Sequence, residues 1–339
     1  MIGSCRFWGP MLLALLSNPL GQAQSALYSQ GLAAYNAKQW NQAAVLMAQA
    51  EAESPGLTDA LLYTGKSYLE LNRLEDAVKS LTEFIRTRPG SADALYTLGL
   101  AQQRENKPSE SLATFTRAAR LRTPRSEELR IVGLDYVLLD DFPDAIHWLE
   151  KAVAFDGSNA EAWYSLGRCD YAQSRFEDAE KAFERVLALE PEHMKAAENL
   201  GLAYSAMNRQ DDAERSFRLA ITLAKQKGSK DEWPYLDYGS FLEDQRRSQE
   251  AIPLLEQSIE LNPQCTACHE KLGRALSDAG RLQDSVRELE QAVALNKDDP
   301  RLHWELGLAY RKTGLKEQAK KELELSKKLY GTKATGEPK

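Results

Sequence analysis

The residues of this chain best placed to do chemistry are Cys265-Thr266-Ala267-Cys268-His269. Two cysteines three apart, followed at once by histidine, make the C-x-x-C-H arrangement of covalent c-type haem attachment. There, two thioethers fix the ring and the imidazole ligates the iron. The same pair could instead close a disulfide or cycle as a dithiol. Residues three apart at the start of a helix lie within the Cα separation a disulfide permits, about 4.4–6.8 Å. A helix amino terminus also lowers a thiol's pKa, which would make such a bridge comparatively reducible. Two unreacted thiols are the remaining alternative.

Other suggestive groupings come to less. Gly65-Lys66-Ser67 has the ending of a phosphate-binding loop, but the first glycine of that loop would stand at position 60, which is Ala60. His147 and His193 stand singly, without metal-ligand spacing. Asp140, Asp141 and Asp144 read as a solvated turn. No nucleophile elbow, zinc motif or nucleotide fingerprint is present, so the chain is expected to be non-catalytic and, haem apart, to need no cofactor.

The elements that would position these residues follow a strict period. Glycines stand at Gly31, Gly65, Gly99, Gly133, Gly167, Gly201, Gly239, Gly273 and Gly307, 34 residues apart except for one interval of 38. Twelve residues after each is a small residue, as at Ala77, Ser111 and Ala179, and four further on a bulky apolar one, as at Leu81, Phe115 and Phe183. Pro55, Pro89, Pro191 and Pro263 recur in one phase, where proline stops a helix. Each repeat therefore reads as two helices, the first carrying the glycine and the second an apolar stripe. Glycine inside a helix costs about 1 kcal/mol relative to alanine, so its recurrence implies close approach of the two helices. Starting each repeat seven residues before its glycine gives starts at Gln24, Thr58, Ala92, Ser126, Ala160, Met194, Glu232, Thr266 and Pro300. In this phase His269 occupies a slot filled elsewhere by Leu61, Leu95, Leu129 or Trp163, and Cys169 one filled by Ala101, Ala203, Ala275 or Ala309. Both have a packing role available to them.

The second repeat, with Leu61, Thr64-Gly65, Tyr68, Ala77, Leu81, Phe84 and Pro89, shows the pattern well. With its period of 34, it resembles the tetratricopeptide repeat, and the resemblance runs from Gln24 to about Lys333. It implies an all-α fold, an α-solenoid wound as a right-handed superhelix. It also implies that first helices line a concave groove into which repeat positions 2, 5, 9, 12 and 13 point. Carried over, these positions nominate Tyr28, Tyr35, Lys66, Tyr96, Arg130, Tyr164, Arg168, Tyr171, Trp233 and Trp304 as contacts for a partner. Aromatic and arginine side chains together are the usual anchors of an interface, and Tyr96, Tyr164, Arg168 and Tyr171 carry that character most strongly. Two specialised grooves are missing. The Lys and Asn or Arg clamp for a chaperone's C-terminal carboxylate would need other residues at pairs such as Tyr28/Leu32 and Tyr164/Arg168, and the asparagine ladder of O-GlcNAc transferases has only Asn199.

Arg6, an apolar run from Phe7 to Leu20 and the small-x-small triplet Gly21-Gln22-Ala23 have the order of a secretory leader cut after Ala23. Export to the periplasm or medium is the expectation, with a cytoplasmic location if the leader is a start read too early. The expected organisation is a leader at 1–23, repeats one to six at 24–227, an insertion at 228–231, repeats seven to nine at 232–333 and a polar tail at 334–339. The 38-residue interval suggests a hinge or altered pitch at the insertion. A net charge of −7, without a basic stripe, argues against nucleic acid, and no segment is apolar enough for membrane insertion. The expected function is an adaptor holding an extended peptide or protein segment. A haem or dithiol redox protein is the rival, and a subunit of a secretion or polysaccharide-export assembly a special case.

Overall fold

The computed structural model describes residues 19–55, 57 and 59–335. Most of the expected leader, the expected second repeat start at Thr58 and the tail from residue 336 lie outside them. All regular structure among the described residues is helical, in eighteen elements. They pair as α1 (Pro19–Asn36) with α2 (Trp40–Glu53), α3 (Asp59–Glu70) with α4 (Leu74–Thr87), and α5 (Ala92–Arg104) with α6 (Pro108–Ala119). Next come α7 (Ser126–Leu138) with α8 (Phe142–Phe155), α9 (Ala160–Ala172) with α10 (Phe176–Leu189), and α11 (Met194–Ala206) with α12 (Gln210–Lys227). The last pairs are α13 (Trp233–Asp244) with α14 (Ser248–Leu261), α15 (Thr266–Asp278) with α16 (Leu282–Leu295), and α17 (Pro300–Lys312) with α18 (Lys316–Thr335). The result is an all-α solenoid of helix hairpins. Six first helices begin on the residue the glycine phase predicts, from Ala92 to Pro300; α13 begins one residue late and α1 begins upstream, at Pro19.

The chain divides into two compact parts, one through Asp156 and one from Gly157. In the first, Leu81, Phe84, Leu95 and Phe115 lie in a single buried cluster. In the second, Phe183, Phe217, Tyr238, Phe241 and Leu255 do the same. Each fully buried side chain of this size contributes about 1.5–3 kcal/mol.

The repeated glycine sits where the two helices of a hairpin come closest. A Cβ built on Gly167 would lie 2.7 Å from Cε1 of Phe183, and one on Gly65 would lie 2.6 Å from Cγ of Leu81 and 3.3 Å from the carbonyl of Ala77. Thus the glycine, the small residue twelve later and the bulky one sixteen later form one contact. Where each hairpin turns, one residue takes a left-handed conformation seven positions after the glycine: Lys38, Asn72, Asn106, Asp140, Ser174, Asn208, Arg246, Gly280 and Gly314. The next residue donates its N–H five residues back, as Arg175 does to Asp170 O at 2.8 Å, closing the first helix in a Schellman turn. Second helices end two residues before Pro55, Pro89, Pro191 and Pro263, as proline requires of its predecessor.

The interval of 38 is taken up as helix. α12 has 18 residues where α10 and α14 have 14, and the extra turn, residues 224–227, buries Ala224 and leaves its other three residues exposed. Gly228, at φ +58, caps it, and the expected insertion Gly228 to Asp231 links it to α13.

One core position departs from the pattern. Asp135 is fully buried, two residues after Gly133, where other repeats have Ser67, Ala101, Cys169, Ala203 or Ala275. Its Oδ2 lies 2.6 Å from Ser111 Oγ, which is also 2.9 Å from Gly99 O, and its Oδ1 has no partner among the described residues. A serine hydroxyl has one proton. If it goes to the Gly99 carbonyl, the carboxyl must be protonated to donate to Ser111. Burial agrees, pushing the Asp135 carboxyl up to about 7.

Two outcomes follow from these contacts. Gly167→Ala gains helix propensity, about 1 kcal/mol, yet forces the Phe183 ring to move. Urea unfolding of the variant should show a net loss of about 1–2 kcal/mol. An acid with a raised folded pKa holds more protons folded than unfolded, so its contribution weakens as pH rises from its ordinary 3.8 through about 7. Asp135→Asn should therefore flatten the decline of stability between pH 4 and 7, and at pH 8 should stabilise by about 2–4 kcal/mol.

Candidate partner-binding site

Within each part, first helices of successive repeats touch one another, α3 with α5 and α5 with α7 in the first, α9 with α11 and α13 with α15 in the second. No two second helices do so among the described residues. The first helices therefore form the inner side of each stack, and their side chains at helical spacing present one surface.

In the second part that surface gathers predicted and unpredicted residues. Tyr164 and Arg168, one turn apart on α9, meet with the guanidinium 5.9 Å from the ring centroid. The Tyr164 hydroxyl accepts a hydrogen bond from Asn199 Nδ2 on α11 at 3.3 Å, and its ring lies 4.9 Å from the His193 ring. Tyr171 is half-buried and packs edge-on against Phe176, 5.4 Å away. Beside them Glu198 of α11 and Asp237 of α13 hydrogen-bond to each other, and burial raises both carboxyls, so that the pair holds a proton well above the usual carboxylate range. Further on, Glu243 of α13, whose side chain is 4% exposed, pairs with Arg274 at 3.0 Å and Lys271 at 3.4 Å. Trp233 and Trp304 are 52% and 50% exposed, among the most open aromatic side chains described.

In the first part the predicted residues separate. Tyr28 and Tyr35 pack edge-on against Tyr63, at 6.3 and 5.0 Å, and Lys66 lies 5.9 Å from the same ring. Arg130 is tied to Glu127 on its own helix at 2.6 Å. Tyr96 is 4% exposed, donates its hydroxyl to Arg122 O at 2.7 Å and carries the Arg122 guanidinium 4.3 Å from its ring centroid. It is part of the core. Tyr63, Asn199, Asp237 and Glu243 were not nominated. The first three stand at repeat position 6, four residues from position 2 and hence on the same helical face.

Cys265 and Cys268 are joined as a disulfide, with Cα atoms 5.3 Å apart. Cys265 is the N-cap of α15, its sulfur accepting from the Cys268 N–H at 3.1 Å, where Ser91, Asn159 and Asp299 use oxygen in other repeats. A loop this short gains only roughly 2 kcal/mol from its closure on the chain-entropy model. His269 turns inward, with Nδ1 2.7 Å from Glu288 Oε2 and Nε2 3.2 Å from Pro263 O, and the Glu288 hydrogen bond raises its pKa. His303 repeats this with Glu322 and Lys297 O. With its sulfurs bonded to each other and both ring nitrogens engaged, the cluster does not present thioether and iron ligands as it stands. Cys169 is buried and its thiol is pushed up to about 11 by desolvation. Gly65-Lys66-Ser67 lies inside α3, with Ser67 fully buried.

This hairpin array, with its inner side of first helices, is that of a helical repeat protein. Models described as tetratricopeptide repeat match residues 64–126, 160–193, 196–231, 236–284 and 300–332, and one described as TPR repeat matches 273–314. The chain belongs to the tetratricopeptide repeat family. No curated protein matches it in sequence. Among solved structures, it is similar to the C-terminal part of a TPR repeat-containing protein from Cytophaga hutchinsonii, at 16% identity and TM-score 0.58, over 72% of this chain and 99% of that one. Cut9–Hcn1, described as an APC/C hetero-tetramer, gives 14% identity and 0.56 over 90% and 73%. PilW, described as a widely conserved type IV pilus biogenesis factor, gives 18% and 0.53 over 58% and 90%. At these identities the likeness is one of fold.

Proposed function

We propose that the protein is a non-catalytic adaptor that holds an extended segment of another protein against the inner side of its first helices. The observation that carries this reading is the Tyr164, Arg168, Asn199 and Tyr171 surface, continued by the open rings of Trp233 and Trp304. Two exposed tryptophans on one helix side are costly to leave in water and suit a partner's apolar side chains. The polar pairs between them suit its backbone and charged groups. Export to the cell envelope is part of the reading. It is supported by the leader-like order of residues 6–23 and by the Cys265–Cys268 disulfide, which persists most readily in oxidising compartments. A place in a secretion or export assembly is a special case, for which the pilus biogenesis factor offers a precedent of fold. The disulfide favours a dithiol over haem at the cysteine pair.

Photocrosslinking residues placed at Arg168 and at Lys181 on α10 test the surface in the living cell. Adducts to a protein partner should form from position 168 and be lost with Tyr164→Ala and Tyr171→Ala together, while position 181 stays silent. Adducts from position 181 alone would sink the reading.

A further inference from the structure

We propose that Cys265 and Cys268 are a redox-active pair that exchanges with the dithiols of other proteins, a function separate from the inner surface. The pair straddles the start of α15, Cys265 as its N-cap and Cys268 in its first turn, among side chains open to solvent: Pro263, Gln264 and Ala267 are all exposed. The two sulfurs are not equivalent. Cys265 is half-buried at the mouth of the turn, whereas Cys268 is fully buried in the core of the second part. An incoming thiolate can reach only the first.

The position also suits the reduced state. The Cys265 sulfur accepts the Cys268 N–H and sits at the amino end of a 13-residue helix, where unpaired amides and the helix dipole stabilise negative charge. The cap itself does not need the bridge. A thiol or thiolate on Cys265 accepts the same hydrogen bond, so α15 still has its start when the bond opens. A bridge that linked distant segments would cost the fold more to break; this one joins residues only three apart at the start of one helix. Repeat eight therefore has a bond that opens and closes on an intact scaffold.

In the exchange, a donor protein's thiolate attacks Cys265 Sγ, forming a mixed disulfide and releasing Cys268 as a thiolate that takes a proton from solvent. The donor's second thiol, as thiolate, then attacks its own sulfur in the mixed disulfide and releases Cys265. The donor leaves as a disulfide, and this chain has gained two electrons and two protons. The reverse sequence oxidises the pair at the expense of a partner disulfide.

The test uses the full chain with dithiothreitol and glutathione as surrogate thiols. The folded protein should take up two electrons at this pair, reversibly, with its far-UV circular dichroism unchanged. In the reduced protein, iodoacetamide should modify Cys265 at least tenfold faster than Cys268, with an apparent pKa below the ordinary 8.5 or so, as mapped by peptide mass. Oxidised glutathione should be trapped on Cys265 in Cys268→Ser, and not on Cys268 in Cys265→Ser. The proposal falls if the bond reduces only in denaturant, or if the two reduced thiols of the wild-type chain alkylate at the same rate.

Discussion

In repeat after repeat a glycine on the first helix lies against the bulky side chain sixteen residues later, and the rest of the structure depends on the closeness this allows. A methyl group at Gly99 would stand 2.6 Å from the Phe115 ring, and one at Gly273 would stand 2.7 Å from Leu289. Because the helices of a hairpin meet so closely there, the second helix can turn its apolar stripe partly onto its own partner and partly onto the next repeat. The left-handed residue seven positions after the glycine then returns the chain at a fixed angle. Neither helix of a pair covers its own stripe, so the array holds together through neighbours. The first helices, side by side, are left with an inner side that packing does not use.

That division of labour explains where function can reside. Residues at the glycine and its contact positions are bound by volume. Residues one helical face away are free to carry Tyr164, Arg168, Asn199, Trp233 and Trp304. The exceptions are informative. Asp135 puts a carboxyl into a slot filled elsewhere by uncharged residues, and among the described residues its side chain has Ser111 alone as a hydrogen-bond partner. Cys265 takes over a cap position, which neither tightens the core nor joins distant segments.

Much of this was legible in the residues themselves. The glycine phase set the hairpins and most first-helix starts because it reflects a steric limit that only one residue type meets. The left-handed turn was not legible, since the backbone there is dictated by the Schellman closure and tolerates Lys38, Ser174 and Arg246 as well as glycine. Tyr96 lies in the core and not on the open groove for a different reason: its ring packs on Phe115 and meets Arg122, in the connection after α6, and the helix pattern carries no trace of the Arg122 contact. Asp135 carried a signal, the one acid in a column of small or apolar residues, that the repeat alignment alone exposes. The extra turn of α12 was visible only as four surplus residues, and of the turn itself only Ala224 is buried.

The most direct measurement is a double-mutant cycle between Gly167 and Phe183, read by equilibrium unfolding. If the ring and the missing methyl compete for one space, Gly167→Ala should be neutral or stabilising in a Phe183→Ala background, with a coupling of at least about 1 kcal/mol. An equal cost of Gly167→Ala in both backgrounds would contradict the close approach on which the hairpin rests.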